Sequence, residues 1–185
     1  MSYCDKKIAG GFTKKACLLW LSYINSNTKY FEWGSGFTTL TADKIGAKVT
    51  SIEGSKSWYN KLIKKNLSNN TNLIYVNIGE TGGYSFPKDP TKGHNYITSI
   101  KEEQDIILVD GRWRVACAIH AFPFISENGI LMIHDFNRKD YHPLLKIYKN
   151  ESNVDSLAVM KPLKNVSKLY LEKFFLTFIN NPKRV

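Results

Sequence analysis

Asp110 stands directly after the apolar run 105–109, and His134 and Asp135 stand directly after 129–133. Carboxylate and imidazole groups gathered at strand ends can take the proton from a weakly acidic hydroxyl. Two such carboxylates, Asp110 and Asp135, could instead hold a divalent cation such as magnesium through oxygen, with Asn137 or His134 completing the set. Asp110 could also cap the helix that follows it. The residues alone leave the base and the metal open. Arg112 and Arg114 flank Trp113 just beyond, and their planar forks suit a carboxylate or phosphate, or an ion pair with a neighbouring acid.

A second constellation lies upstream. Tyr30-Phe31-Glu32-Trp33-Gly34-Ser35-Gly36-Phe37 runs into a short helical stretch, and residues 49–53 then end in Glu53. This reads as a strand, a glycine turn opening a helix, and a second strand closed by an acid. The glycines let backbone approach a ligand, and the helix N-terminus offers free N–H groups to an anion. Glu53 falls 19 residues after Gly34, where a carboxylate accepts both hydroxyls of a ribose. Together they bind an adenosine-containing cofactor, and the spacing does not say which. Glu32 is expected to face the turn and hold its N–H groups or the ligand's amino group. Trp58, a helical turn past Glu53, can stack on adenine or pack in the core, and Phe37 has the same two readings.

The elements that must position these residues follow from periodicity. Helices are predicted over 12–26, 38–45, 55–67, 96–102, 114–125 and 141–148. Strands are predicted over 29–33, 48–52, 72–76, 105–109, 129–133, 154–160 and 169–178, with a loop over 79–95. Alternating strands and helices imply a doubly wound, mostly parallel α/β sheet of seven strands with helices on both faces. The last two strands are joined by a short turn containing Pro162, too short for a helix, and so pair antiparallel. The ligand of such a sheet sits beyond the strands' carboxyl ends, which adds residues 77–79 to the candidates. The whole chain reads as a single domain, a helical cap over 1–27 and a core over 28–178. The N-terminal helix and the 79–95 loop are the segments able to cover an acceptor, and a second subunit in a homodimer could add to that cover.

Composition narrows the partners. The 185 residues are 43% hydrophobic, enough for a folded core, and lack an apolar run of 18 or a leading signal segment, so no membrane partner is expected. The net charge of +10 comes mostly from scattered lysines and reads as a solvated surface; a nucleic-acid partner is the alternative. An Arg-rich cluster and the aromatic–basic alternation of a single-strand binder are both missing. Three widely spaced cysteines, Cys4, Cys17 and Cys117, predict a reducing, cytoplasmic setting with neither disulfide framework nor zinc site.

With those residues in view, the chain resembles the class I S-adenosylmethionine-dependent methyltransferases. Glu32-x-Gly34-x-Gly36 is similar to that family's first motif, Glu53 to its ribose-binding acid, and the closing strand pair to its last two strands. A dinucleotide dehydrogenase would want a third glycine where Thr39 stands. Asp110-Gly111-Arg112-x-Arg114 and His134-Asp135-Phe136-x-Arg138-x-x-Tyr141 resemble the signatures of small O-methyltransferases, some virus-encoded, that act on sugars of glycans. The resemblance implies a Rossmann-like fold and S-adenosylmethionine as cofactor, with S-adenosylhomocysteine as product. It places Glu32, Gly34, Ser35, Gly36, Glu53, Trp58 and Asp110 at the cofactor, Asp110, His134 and Asp135 at the chemistry, and Arg112, Arg138 and Tyr141 at a sugar or glycan acceptor. An RNA methyltransferase is the first rival, yet the Asn/Asp-Pro-Pro-Tyr/Phe and Pro-Cys segments are absent, and Lys168-Leu169-Tyr170 stands where a ribose-methylating enzyme would want glutamate. A non-catalytic binding module is the second, against which the intact acid and glycine set argues.

Overall fold

A computed structural model describes Cys4 and residues 11–82 and 87–179. Seven strands form one sheet: β1 (Lys29–Trp33), β2 (Lys48–Glu53), β3 (Thr71–Tyr75), β4 (Gln104–Val109), β5 (Ile125–Ile133), β6 (Tyr148–Val154) and β7 (Leu157–Pro162). Their order is β3-β2-β1-β4-β5-β7-β6. The first five pair parallel, and β7 is antiparallel to both β5 and β6. The helices are α1 (Lys14–Leu21), α2 (Phe37–Ile45), α3 (Lys56–Leu62), α4 (His94–Ile97), α5 (Arg114–Ala121) and α6 (Lys168–Ile179).

Strand periodicity divides the core into two layers. Tyr30, Val49, Ile106, Leu108, Ile130, Met132, Leu157 and Val159 face α1 and α2. Phe31, Trp33, Ile52, Ile107, Val109, Leu131, Ile133, Ala158 and Met160 face α4, α5 and α6. Burial on both faces explains why β4 and the end of β5 read as near-continuous apolar runs rather than alternating ones. Strand order reverses between β1 and β4, and the turns leaving these neighbours lie side by side. The amide of Asp110 donates to the carbonyl of Trp33 at 2.9 Å, and that of Gly34 to Ile52 at 2.9 Å.

Three expectations are corrected. The terminal hairpin is β6–β7, one element earlier than the sequence suggests, and 169–178 is helical. The connection is the two-residue turn Asp155-Ser156, with Asp155 in the left-handed region at φ 54°, while Pro162 ends β7. The aromatic-rich Leu169–Phe178 stretch suits a strand by composition, but its buried residues Phe174 and Phe178 are four apart, a helical face. The 141–148 segment is a 3-10 turn over Lys139–Lys146 interrupted by Pro143, and Tyr148 already belongs to β6. Finally, Cys4 and Cys17 are joined in a disulfide, which ties the segment before α1 onto that helix; Cys117 alone is a free, buried thiol among the described residues. The expected acceptor cover is only partly visible, since 5–10 and 83–86 lie outside the described residues. No helix among them is long and apolar enough to cross a membrane.

Candidate active site

A cleft of about 640 Å³ opens beyond the carboxyl ends of β1, β2, β4 and β5. Gly34 sets its floor, with φ at +94°, and a Cβ there would lie 2.7 Å from the amide nitrogen of Gly111 and 2.8 Å from the carbonyl oxygen of Asp110. Only glycine lets the β1 turn pass this close to the β4 turn. At Gly36 a Cβ would meet nothing within 4 Å, so the turn presents bare backbone to open space. Glu53 is the last residue of β2, and its carboxylate is fixed by N–H donation from Ser55 at 2.6 Å and Ser35 at 3.2 Å. Burial pushes its pKa up, while those N–H groups and the nearby Arg112 cation oppose the shift. Trp58 is not a core residue: it is 39% exposed at the rim, and its indole N–H donates to the carbonyl of Ser35 at 2.8 Å.

Glu32 does not face the ligand. It is wholly buried beneath the turn, and one carboxylate oxygen accepts from the hydroxyls of Tyr30 and Thr38, the other from those of Thr39 and Ser51. Burial raises its pKa and the four hydroxyls oppose that. The expectation that Glu32 grips the turn directly, or a ligand amino group, is corrected: Thr39 relays the contact, accepting the Gly36 N–H at 2.8 Å while donating to Glu32. Period-2 alternation puts Glu32 on the same face as Tyr30, under the start of α2, where side-chain hydroxyls outnumber backbone donors.

On the other side of the cleft Asp110, His134 and Asp135 come together as the spacing suggests. His134 is 4% exposed, and its Nδ1 lies 2.9 Å from Asp110 Oδ1. Its Nε2 is buried with no hydrogen-bond partner among the described residues, and the ring packs against Phe12 at 4.8 Å between centroids. Asp135 sits in the left-handed region at φ 60° and pairs with Arg138 at 2.9 Å. Arg114, which the sequence offered either as an anion grip or an ion-pair partner, takes the second role. Its guanidinium reaches Asp110 at 3.1 Å and Asp135 at 3.2 Å. Arg112 lines the cleft half-buried, and burial lowers its pKa, with the charge of Arg114 adding to the shift.

Other positions fall outside. Arg138 is exposed at the edge, beside Asp135. Tyr141 is 1% exposed and lies under the Arg114 guanidinium, 5.9 Å from ring centre to cation, so a direct acceptor contact there is corrected to a packing role. Asn77 and Asn137 are exposed, and Asn77 caps its own turn by accepting the Gly79 N–H. Sequence reasoning missed Tyr96 and the Gly11–Phe12 edge, both of which line the cleft. The Tyr96 hydroxyl receives the Arg112 N–H at 3.4 Å, and its carbonyl anchors the Trp33 indole at 2.7 Å. A four-residue helix after a long loop gives no periodic signal for it.

No protein-family model matches the chain, and no curated protein matches it. Solved structures do. A methyltransferase-like protein of Silicibacter pomeroyi DSS-3 is 24% identical, with a TM-score of 0.66 over 85% of this chain and 91% of that one. A precorrin 8w decarboxylase of Methanobacterium thermoautotrophicum is 12% identical at TM-score 0.53, covering 83% and 91%. A TehB-like SAM-dependent methyltransferase of Corynebacterium glutamicum ATCC 13032 is 11% identical at TM-score 0.50, covering 80% and 87%. The chain shares its fold with these proteins, two of them methyltransferases or methyltransferase-like and one a decarboxylase.

Within this fold, the residues present fit an adenosine cofactor. The open space over Gly36, the oriented Glu53 carboxylate facing the cleft and the rim indole of Trp58 supply room, a ribose acceptor and an apolar ring. They do not fit a divalent cation. The place between Asp110 and Asp135 that a metal would need is filled by the guanidinium of Arg114, and no group of three or more metal-binding side chains converges among the described residues. Arg114 and Arg138 together already balance the charges of the two carboxylates, which leaves little attraction for a divalent ion.

Proposed function

We propose that this chain is an S-adenosylmethionine-dependent O-methyltransferase whose acceptor is a hydroxyl of a sugar within a glycan. The observation that carries the reading is the Asp110–His134 pair at 2.9 Å, set in the same cleft as the Gly34–Gly36 turn and Glu53. An alcohol is a weak acid and a weak nucleophile, so transfer to it needs a placed base. An ionised Asp110 only accepts, which makes Nδ1 of His134 the donor and leaves Nε2 with its lone pair. That nitrogen, buried and without a hydrogen-bond partner among the described residues, is the group that takes the acceptor proton. Bound S-adenosylmethionine would supply an electrophilic sulfonium methyl group to the acceptor oxygen, with S-adenosylhomocysteine as the leaving group.

The chain's own residues do the rest. Glu53 would hold the ribose hydroxyls, and the backbone of residues 35–37 would line the cofactor. Arg112, half-buried between Glu53 and Asp110, supplies a cation to a carboxylate in the cleft. Alignment of oxygen, carbon and sulfur accounts for much of the rate in such a displacement. The glycan acceptor rests on the Asp110-Gly111-Arg112-x-Arg114 resemblance, and the net charge of +10 favours RNA as the next acceptor to test.

The test is calorimetric titration of the purified protein with S-adenosylmethionine and, separately, NAD. Micromolar binding, about −8 kcal/mol, to the first alone is expected. Glu53→Ala should weaken it by roughly ten- to a hundredfold, the worth of charge-assisted hydrogen bonds. His134→Asn should leave cofactor affinity within about twofold and abolish methyl transfer in a screen of glycan and RNA acceptors. NAD binding alone would overturn the reading. Binding of neither would make the chain a degenerate fold used for other ends.

A further inference from the structure

Arg114 is the least expected occupant of this site. It is 7% exposed and stands at the first position of α5, where the helix dipole disfavours a cation. An apolar side chain of similar volume would be the cheaper filler for a buried position with no task. The backbone that delivers Arg114 is itself unusual. Trp113, the residue before it, has φ 49°, a left-handed conformation that costs a bulky residue on the order of 1–2 kcal/mol. Its ring is buried against Tyr96 at 5.8 Å and over Gly93, where a Cβ would come within 2.5 Å of the indole. Packing holds the turn in this shape, and the shape turns Arg114 back across the tip of β5.

Every polar contact of that guanidinium falls on the two turns that carry the chemistry. Nε donates to the carbonyl of Gly111 at 3.1 Å, and Nη1 to the carbonyl of His134 at 2.8 Å. Nη1 also donates to Asp135 at 3.2 Å, while Nη2 lies 3.1 Å from Asp110 Oδ1. This oxygen is the one that faces His134 Nδ1. Asp135 meanwhile is held at positive φ by Arg114 on one side and Arg138 on the other.

We infer that Arg114 is a positioning residue: its forked guanidinium locks the turns after β4 and β5 together, and so aims Asp110 at Nδ1 of His134 and leaves Nε2 free to accept. This rests on the reading of His134 as the base. A lysine could replace the charge but not the fork, which spans two carboxylates and two carbonyls at once.

The imidazole tautomer reads this role without an acceptor substrate. In nitrogen-15-labelled protein at mildly alkaline pH, long-range proton–nitrogen correlations distinguish an Nδ1–H from an Nε2–H ring, and His134→Asn identifies the His134 signals. A single Nδ1–H tautomer is expected in the wild type, and its loss to a mixture in both Arg114→Gln and Arg114→Lys. Retention of the single tautomer in either variant, or a mixture in the wild type, would overturn the inference. Should Arg114→Gln fail to fold, Arg114→Lys decides alone. S-adenosylmethionine titration of the same wild-type sample separates the two ideas: absent binding sinks the proposed function, whereas the tautomer pattern speaks only to Arg114.

Discussion

At the scale of single residues, the cleft depends on contacts too close to admit a side chain. Gly34 combines a positive φ with backbone of the β4 turn under 3 Å from where a Cβ would stand. Neither obstacle is a flexible side chain that could swing away. Gly34→Ala should therefore lose about 2–5 kcal/mol, left-handed strain and overpacking together, read as a drop in urea midpoint at unchanged slope. A loss under about 1 kcal/mol would mean that the two turns can separate. This glycine, Glu53 and the acids after β4 and β5 were legible because each sits at a fixed offset from an apolar run. The direction of Glu32 and Tyr141 was not. Glu32 stands near the end of β1 and Tyr141 in the 3-10 turn between β5 and β6, and only the packing of α2 over β1 and of Arg114 over Tyr141 sends them inward.

At the scale of elements, α5 and α6 pack against each other across His120, whose ring meets Phe124 at 5.5 Å and Phe175 of α6 at 5.7 Å. Burial, with Lys101 and His94 adding repulsion, lowers its pKa from 6.5 to about 4. The unfolded chain takes up this proton near pH 6.5 and the folded one only near pH 4, so the unfolded state binds more protons in between. The contribution of the neutral ring is whole above pH 6.5 and is lost as pH falls to about 4. Discounted for partial exposure, it amounts to about 1–2 kcal/mol. Urea unfolding of the wild type and His120→Gln at both ends of that window checks this: the variant should lose less stability on acidification by that amount. Equal losses would place the acid sensitivity elsewhere. Element order through β5 was readable from period alone. The hairpin was displaced because Asp155-Ser156 lacks the glycine that usually marks a two-residue turn, and because β6, an edge strand with Lys149 and Glu151 facing out, reads as loop.

At the scale of the whole molecule, alternation of strands and helices was enough to give the doubly wound sheet, since no other architecture buries so many two-faced strands. The covalent tie between Cys4 and Cys17 was not readable, because an odd number of well-spaced cysteines has no pairing rule. It spans a sequence separation of 13 and ends on α1, whose Cys17, Ala16 and Trp20 sit in the layer that also holds Tyr30 and Leu108 beneath the site. In the chain-entropy account a loop of this length is worth about 3 kcal/mol. Breaking the bond also loosens the anchor of the segment that reaches Gly11 and Phe12, whose ring covers His134. Reduction with a phosphine, or Cys4→Ser, should therefore lower the stability by about 2–3 kcal/mol, and the two treatments should not add, since both remove one constraint. Cys117 is fully buried, and burial holds its thiol well above the usual range, so it stays inert in such an experiment and the change can be assigned to the one bridge. An unchanged unfolding midpoint in both would show that α1 is held by its apolar face alone, and that the bridge constrains only the strand of chain before it.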